Sequence, residues 1–137
     1  MSQSLYAVLP IVAILLFIGV TLVLAGRFAQ AWAGSWLVPA AFAAAFAAAF
    51  LGWSLYTVAM EGPVGFWRNH TANAWGNQVW FDLLLAIGTA WALLLPRARA
   101  VGMRPLPWLV LIVASGSIGL LAMTARCLML ESKRTQS

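Results

Sequence analysis

An all-α integral membrane protein, with four transmembrane helices in an antiparallel bundle, is the fold class this sequence predicts. Three observations predict it. Four long apolar stretches, roughly Leu5–Ala25, Leu37–Met60, Val79–Leu95 and Leu106–Met129, make up most of the chain. Almost every charge falls between or beyond them. Hydrophobic residues are 64% of the 137 and charged residues only 8%, against about 25% charged in soluble domains. A helix rises about 1.5 Å per residue, so a hydrocarbon core of about 30 Å takes about 20 residues. Three stretches reach that length, and the third does so when extended at its N-terminal end. Helices are therefore expected at 5–25, 37–60, 72–96 and 106–129, in a single transmembrane domain. A soluble domain this small has too little interior to hide so much apolar surface; a lipid bilayer removes the problem by becoming the solvent.

The net charge of +5 would point to nucleic acid in a soluble protein. Here the basic residues flank apolar spans, and anionic lipid headgroups are the more economical partner; nucleic-acid binding is excluded. Cys127 is the sole cysteine, so neither an intrachain disulfide nor a thiolate metal cluster can form. It is expected to pack as a small hydrophobe.

The first span opens after Met1–Ser4, which lacks Lys and Arg, and its apolar run exceeds the 7–15 residues of a signal-peptide core. Although Ala31–Ala33 fits an A-x-A cleavage pattern, the reading is a retained helix. Pro10 is expected near its start, where a missing N–H is nearly free. Gly26 and Arg27 close the span, and Trp32 and Trp36 mark the short first connection as interfacial anchors.

The second span contains the run AAFAAAFAAAF. Phe42, Phe46 and Phe50 recur every four residues and share one helix face. The alanines between them, Ala41, Ala45 and Ala48 among them, allow close helix approach, which is what drives packing in lipid. Two readings follow. One is alanine-mediated packing. The other is a flat groove along Phe42, Phe46, Phe50 and Trp53 for a long apolar cofactor such as a carotenoid or a quinone tail.

The connection EGPVGFWRNHTANAWGNQ is the most polar internal segment. Gly62-Pro63 and Gly65 break the preceding helix, and Thr71 or Asn73 is expected to cap a helix running on through the third span. The third connection, PRARAVGMRPLP, is the densest positive cluster between spans, with Arg97, Arg99 and Arg104. In the fourth span Ser115 and Gly119, at i and i+4, form a small-residue packing face. The tail ESKRTQS is expected to be solvated. Under a four-span topology one membrane side holds Arg27, Arg97, Arg99 and Arg104, and the other holds Arg68, Lys133, Arg134 and Arg126. The positive-inside rule then comes close to a tie, leaning to a cytoplasmic three-arginine loop with both termini outside.

Acidic residues are only Glu61, Asp82 and Glu131. Asp82, just inside the third span, is costly in lipid, by up to about 3 kcal/mol at the centre, and needs a partner. Four spans place Glu61, Arg68, His70, Asp82 and Arg126 on one side, with Arg126 or Arg68 as the counterion. The cluster is either a structural ion pair or a polar pocket, in which Asp82 would accept a proton and His70 would shuttle it. His70 is the only histidine, which rules out a bis-histidine haem within one chain and leaves single axial ligation of a haem or chlorophyll open beside an exposed or capping role. Asn69-His70-Thr71 also fits the glycosylation sequon. Eight tryptophans mostly fall near expected interfaces, with Trp53 and Trp91 deeper. No phosphate-cradling loop, Ser-His-Asp set or Cys/His ligand group is present, and no metal site is expected.

Gly65-Phe66, Thr71-Ala72-Asn73, Asp82-Leu83, Arg97-Ala98-Arg99 with Gly102, Pro107-Trp108, and Gly116-Ser117 with Gly119 resemble the motifs of a family of small bacterial inner-membrane proteins of unknown function, over residues about 61–130. In that family an Asp stands beside the loop arginine, where this chain has Pro96-Arg97. The resemblance implies a four-helix bundle and a multi-pass place in the bacterial cytoplasmic membrane, and supplies no activity.

Two functions of different class fit these residues. One is a non-catalytic accessory or scaffold subunit of a larger membrane complex, such as an energy-transducing one, with partner subunits and with lipid, carotenoid, chlorophyll-type pigment or quinone against its apolar faces. The other is a small membrane enzyme or carrier for an isoprenoid or quinone-like substrate, working through Asp82.

Overall fold

The structure, a computed structural model, describes residues 3–25 and 36–135. The described residues form helices α1 (Gln3–Ala25), α2 (Leu37–Glu61), α3 (Gly65–Thr71), α4 (Ala74–Ala100), α5 (Pro105–Ser115) and α6 (Ser117–Thr135). The first connection, with Gly26, Arg27, Trp32 and the Ala31–Ala33 pattern, lies outside the described residues, as does the end of the tail. The chain divides into two units, Met1–Ser35 and Trp36–Ser137.

In the first unit, α1 carries an apolar run over Ala7–Leu22. It begins at Gln3, so Pro10 falls in its interior rather than near its first turn. The missing N–H there removes a bond to the carbonyl of Tyr6.

In the second unit, α2 and α4 match their expected spans, and both are long and apolar enough to cross a membrane. They are the two such helices among the described residues; the apolar runs Ala7–Leu22 and Pro105–Ser115 are shorter. The expectation of four spans is thus corrected, and the largest departure is in the fourth. Residues 106–129 do not form one helix, because Gly116 stands at φ 60°, ψ −126°. Only glycine adopts that backbone readily, and no continuous α-helix passes through it. The Gly116 N–H still closes α5 on the Ile112 carbonyl at 2.6 Å.

The chain then folds back. A Cβ on Gly119 would lie 2.8 Å from the Ile112 nitrogen and 2.9 Å from Cα of the same residue, a contact that glycine alone allows. A Cβ on Gly116 would lie 3.7 Å from Ile87 Cδ1, which places the turn beside the middle of α4. The start of α5 and the end of α6 therefore lie at the same end of α4. With 11 residues, α5 is about 16 Å long, about half a hydrocarbon core.

α6 is the central helix. It packs against α2 on one side and against α4 and α5 on the other, whereas α2 and α4 make no comparable contact. Leu94 and Ala98 of α4, Met103, Ile112 of α5, and Met123 and Cys127 of α6 form one buried cluster. Trp91 and Trp108 pack against it. On α2 the buried residues are Ala40, Ala43 and Ala47. Their spacing of i, i+3, i+7 is repeated on α6 by Ala125, Leu128 and Ser132, and the spacing assigns these two stripes to the α2–α6 seam. Small residues allow the close approach.

The arginine segment is helical rather than looped. α4 continues through Pro96 to Ala100 and ends in a Schellman motif, with Gly102 at φ 79°. Met103 N–H donates to the Ala98 carbonyl at 2.9 Å and Gly102 N–H to that of Arg99 at 3.0 Å. The tail is helical to Thr135; its Ser132 is buried while Lys133, Arg134 and Thr135 are exposed, which corrects the expected solvated tail in part.

Candidate functional site

At one end of the second unit, α3 and the start of α4 form a compact polar junction. Asn73 caps α4, its Oδ1 accepting from the Gly76 N–H at 2.9 Å. Asn77 Nδ2 donates to the carbonyls of His70 at 3.0 Å and Asn73 at 3.3 Å. A Cβ on Gly76 would lie 2.4 Å from the Asn69 carbonyl oxygen, so this crossing requires glycine. His70 places Nδ1 3.3 Å from the Gly76 carbonyl and its ring 5.1 Å from that of Trp80. It staples α3 to α4.

Of the expected polar cluster, the structure brings together Glu61 and Arg68, but not as an ion pair: Arg68 Nη2 donates to the Glu61 backbone carbonyl at 3.4 Å. Asp82 is exposed and makes neither a hydrogen bond nor an ion pair with Arg68, Arg126 or any other described residue. Arg126 is also exposed, on α6. The fold-back at Gly116 explains this. A straight fourth helix would have ended near the start of α4, but α6 instead returns to the far end. Among the described residues no three His, Cys, Asp or Glu side chains gather as metal ligands.

The chemistry-bearing side chains that the fold does gather lie at that far end. Arg97 of α4 holds Glu131 of α6 in a bidentate pair, Nε to Oε1 at 2.9 Å and Nη2 to Oε2 at 2.6 Å. The indole of Trp36, just before α2, lies 5.3 Å from the Arg97 guanidinium carbon, within cation–π reach. Arg134 Nη1 donates to the Ala100 carbonyl, closing α6 on the end of α4. Cys127 Sγ lies 3.8 Å from Glu131 Oε1. Trp36, Arg97, Ala100, Val101, Glu131 and Arg134 line an open cleft of about 570 Å³. The sequence reading missed this cluster; Ser115-Gly116-Ser117 as a helix break was the signal for it.

The two small-residue predictions divide. Ala41, Ala45 and Ala48 are exposed, and the alanines buried in the seam are Ala40, Ala43 and Ala47. Gly119 is buried in a close approach, but to α5 of its own hairpin. Ser115 Oγ turns back to the Leu111 carbonyl at 2.7 Å. Phe42, Phe46, Phe50 and Trp53 are all exposed. Of these, Phe42 joins Leu37, Val38, Ala41 and Ala45 around a shallow apolar groove of about 400 Å³. Trp53 instead packs beside Tyr56, with ring centroids 5.6 Å apart.

Comparison with protein families, curated proteins and solved structures gives no match for this chain.

Proposed function

We propose that this chain is a non-catalytic accessory or scaffold subunit of a larger membrane complex, offering helix surface to lipid and to partner membrane proteins. The observation that carries this reading is the outward apolar surface of the two long helices. In their most apolar stretches only 17% of α2 and 6% of α4 is buried. Water would penalise that exposure at roughly 25 cal/mol per Å², and lipid or neighbouring helices would not. The rows Phe42, Phe46, Phe50 and Ala41, Ala45, Ala48 belong to this outward surface, and bound lipid, pigment or quinone would lie there. The resemblance to small bacterial inner-membrane proteins makes the bacterial cytoplasmic membrane the proposed location.

The enzyme reading draws no support from the geometry. Asp82 has no polar partner among the described residues, and His70 is engaged in holding α3 to α4.

Gentle extraction followed by native mass spectrometry tests the proposal. The expected result is an assembly containing this 14.8 kDa chain with subunits of other masses. Recovery of the chain alone, or only as multiples of itself, would overturn it.

A further inference from the structure

We propose that the end of the second unit bearing Arg97, Arg99, Arg104, Lys133 and Arg134 is a binding face for anionic phospholipid, with one phosphate headgroup seated in the cleft between Trp36, Arg97 and Arg134. This rests on the membrane reading above.

The fold creates this face. A straight fourth helix would have carried Lys133 and Arg134 to the opposite side, leaving the basic residues divided. The turn at Gly116 returns α6 to the end of α4, where Arg134 binds the Ala100 carbonyl and Glu131 binds Arg97. Among the described residues, five cations thus share one end with a single carboxylate, that of Glu131. The opposite end of the unit carries Arg68 with Glu61. Like charges held together by packing repel one another and draw counter-charge from outside.

The five divide into two groups. Arg97 and Arg134 are tied into the fold, and they line the cleft. Glu131 takes the Nε and Nη2 donors of Arg97, and a guanidinium has five N–H groups in all. Arg99, Arg104 and Lys133 are exposed and make no hydrogen bond or ion pair with a described residue. Their charge is available to an external anion.

Position selects the anion. Trp36 is exposed at the start of an apolar helix, where indoles mark the level of lipid headgroups, and its ring lies on Arg97. A phosphate at this level belongs to a lipid. By the positive-inside rule this end faces the cytoplasm, whose leaflet carries the anionic headgroups.

The test places the protein in nanodiscs of equal phosphatidylglycerol and phosphatidylcholine and reads the lipids it retains by native mass spectrometry. Each basic residue at an anionic surface is worth about five-fold in binding. The expected result is preferential retention of phosphatidylglycerol, reduced at least about ten-fold in the triple variant R99Q/R104Q/K133Q. That variant spares both tied arginines, so its melting temperature in detergent should match the parent's. R68Q, at the other end, should retain the preference. Retention of the two lipids in bulk proportion would overturn the headgroup site while leaving the membrane reading intact. Equal loss in R68Q would overturn the placement. Stabilisation in detergent by inorganic phosphate as large as that by phosphatidylglycerol would make it a free-anion site instead. A chain that does not enter the nanodiscs would overturn the membrane reading and the site together.

Discussion

Arg97 and Glu131, 34 positions apart in sequence, meet in a two-point ion pair that joins the last turn of α4 to the last turns of α6. Because Arg97 sits before the arginine turn and Glu131 near the end of the chain, the pair fixes the direction in which the final helix runs. Its side chains are 46% and 18% exposed, so solvent screens it in part.

Glu131→Gln is therefore expected to lower unfolding stability in detergent by about 1 kcal/mol, between the values for exposed pairs and charge-assisted bonds. A double-mutant cycle with Arg97→Gln should show a favourable coupling. Simple additivity of the two single changes would mean that the pair contributes nothing.

Gly116→Ala should cost about 2 kcal/mol, since a side chain is strained at φ 60°. Gly119→Ala should be at least as damaging, because its Cβ would press on α5 backbone atoms at 2.8 to 2.9 Å. Thermal denaturation followed by circular dichroism reads both. A Gly119→Ala protein as stable as the parent would refute the tight hairpin.

At the other end, Asn73→Ala removes the cap of α4 and should cost about 1 kcal/mol. Gly76→Ala should cost more, because the added carbon would lie 2.4 Å from the Asn69 carbonyl oxygen. Hydrogen exchange should show the first turn of α4 opening earlier in both variants; unchanged protection there would count against the junction as described.

Asp82→Asn should change stability by less than about 0.5 kcal/mol, as expected for an exposed group without partners. It should also leave the assembly proposed above unchanged. A melting temperature lowered by many degrees would show that Asp82 has a counterion that the described residues do not provide.

Cys127 has no exposed surface. Maleimide labelling should be slow in the folded protein and fast in denaturing detergent. Equal rates in the two states would show that α6 is not packed at the centre.

α2 was legible in the sequence because it is an unbroken apolar run of helical length. α4 was legible because its apolar run, with Asp82 inside it, reaches that length when extended toward the polar segment, where Asn73 was one of two candidate caps beside Thr71. The seam on α2 was harder to assign. Alanines fill every face of that helix, so Ala40, Ala43 and Ala47 were not distinguishable from Ala41, Ala45 and Ala48 until α6 was in place. The break at Gly116 was hidden for a related reason. Glycine is common in membrane helices as a packing residue, and Ser115 with Gly119 reads equally well as a flat face. From that one position followed the other losses: Asp82 without Arg126, and Glu131 in a pair rather than in a solvated tail. An ion pair across 34 residues is a property of the turn between its members, not of either segment.

The hairpin also bears on how the chain is made. If its last helix crossed the bilayer, Glu131, Lys133 and Arg134 would each have to be dragged through hydrocarbon during insertion, at up to about 3 kcal/mol apiece. On the membrane reading proposed above, a segment that dipped to mid-depth and turned back at Gly116 would leave those side chains on the side where the ribosome released them. The final third of the protein would then enter without Glu131, Lys133 or Arg134 being translocated.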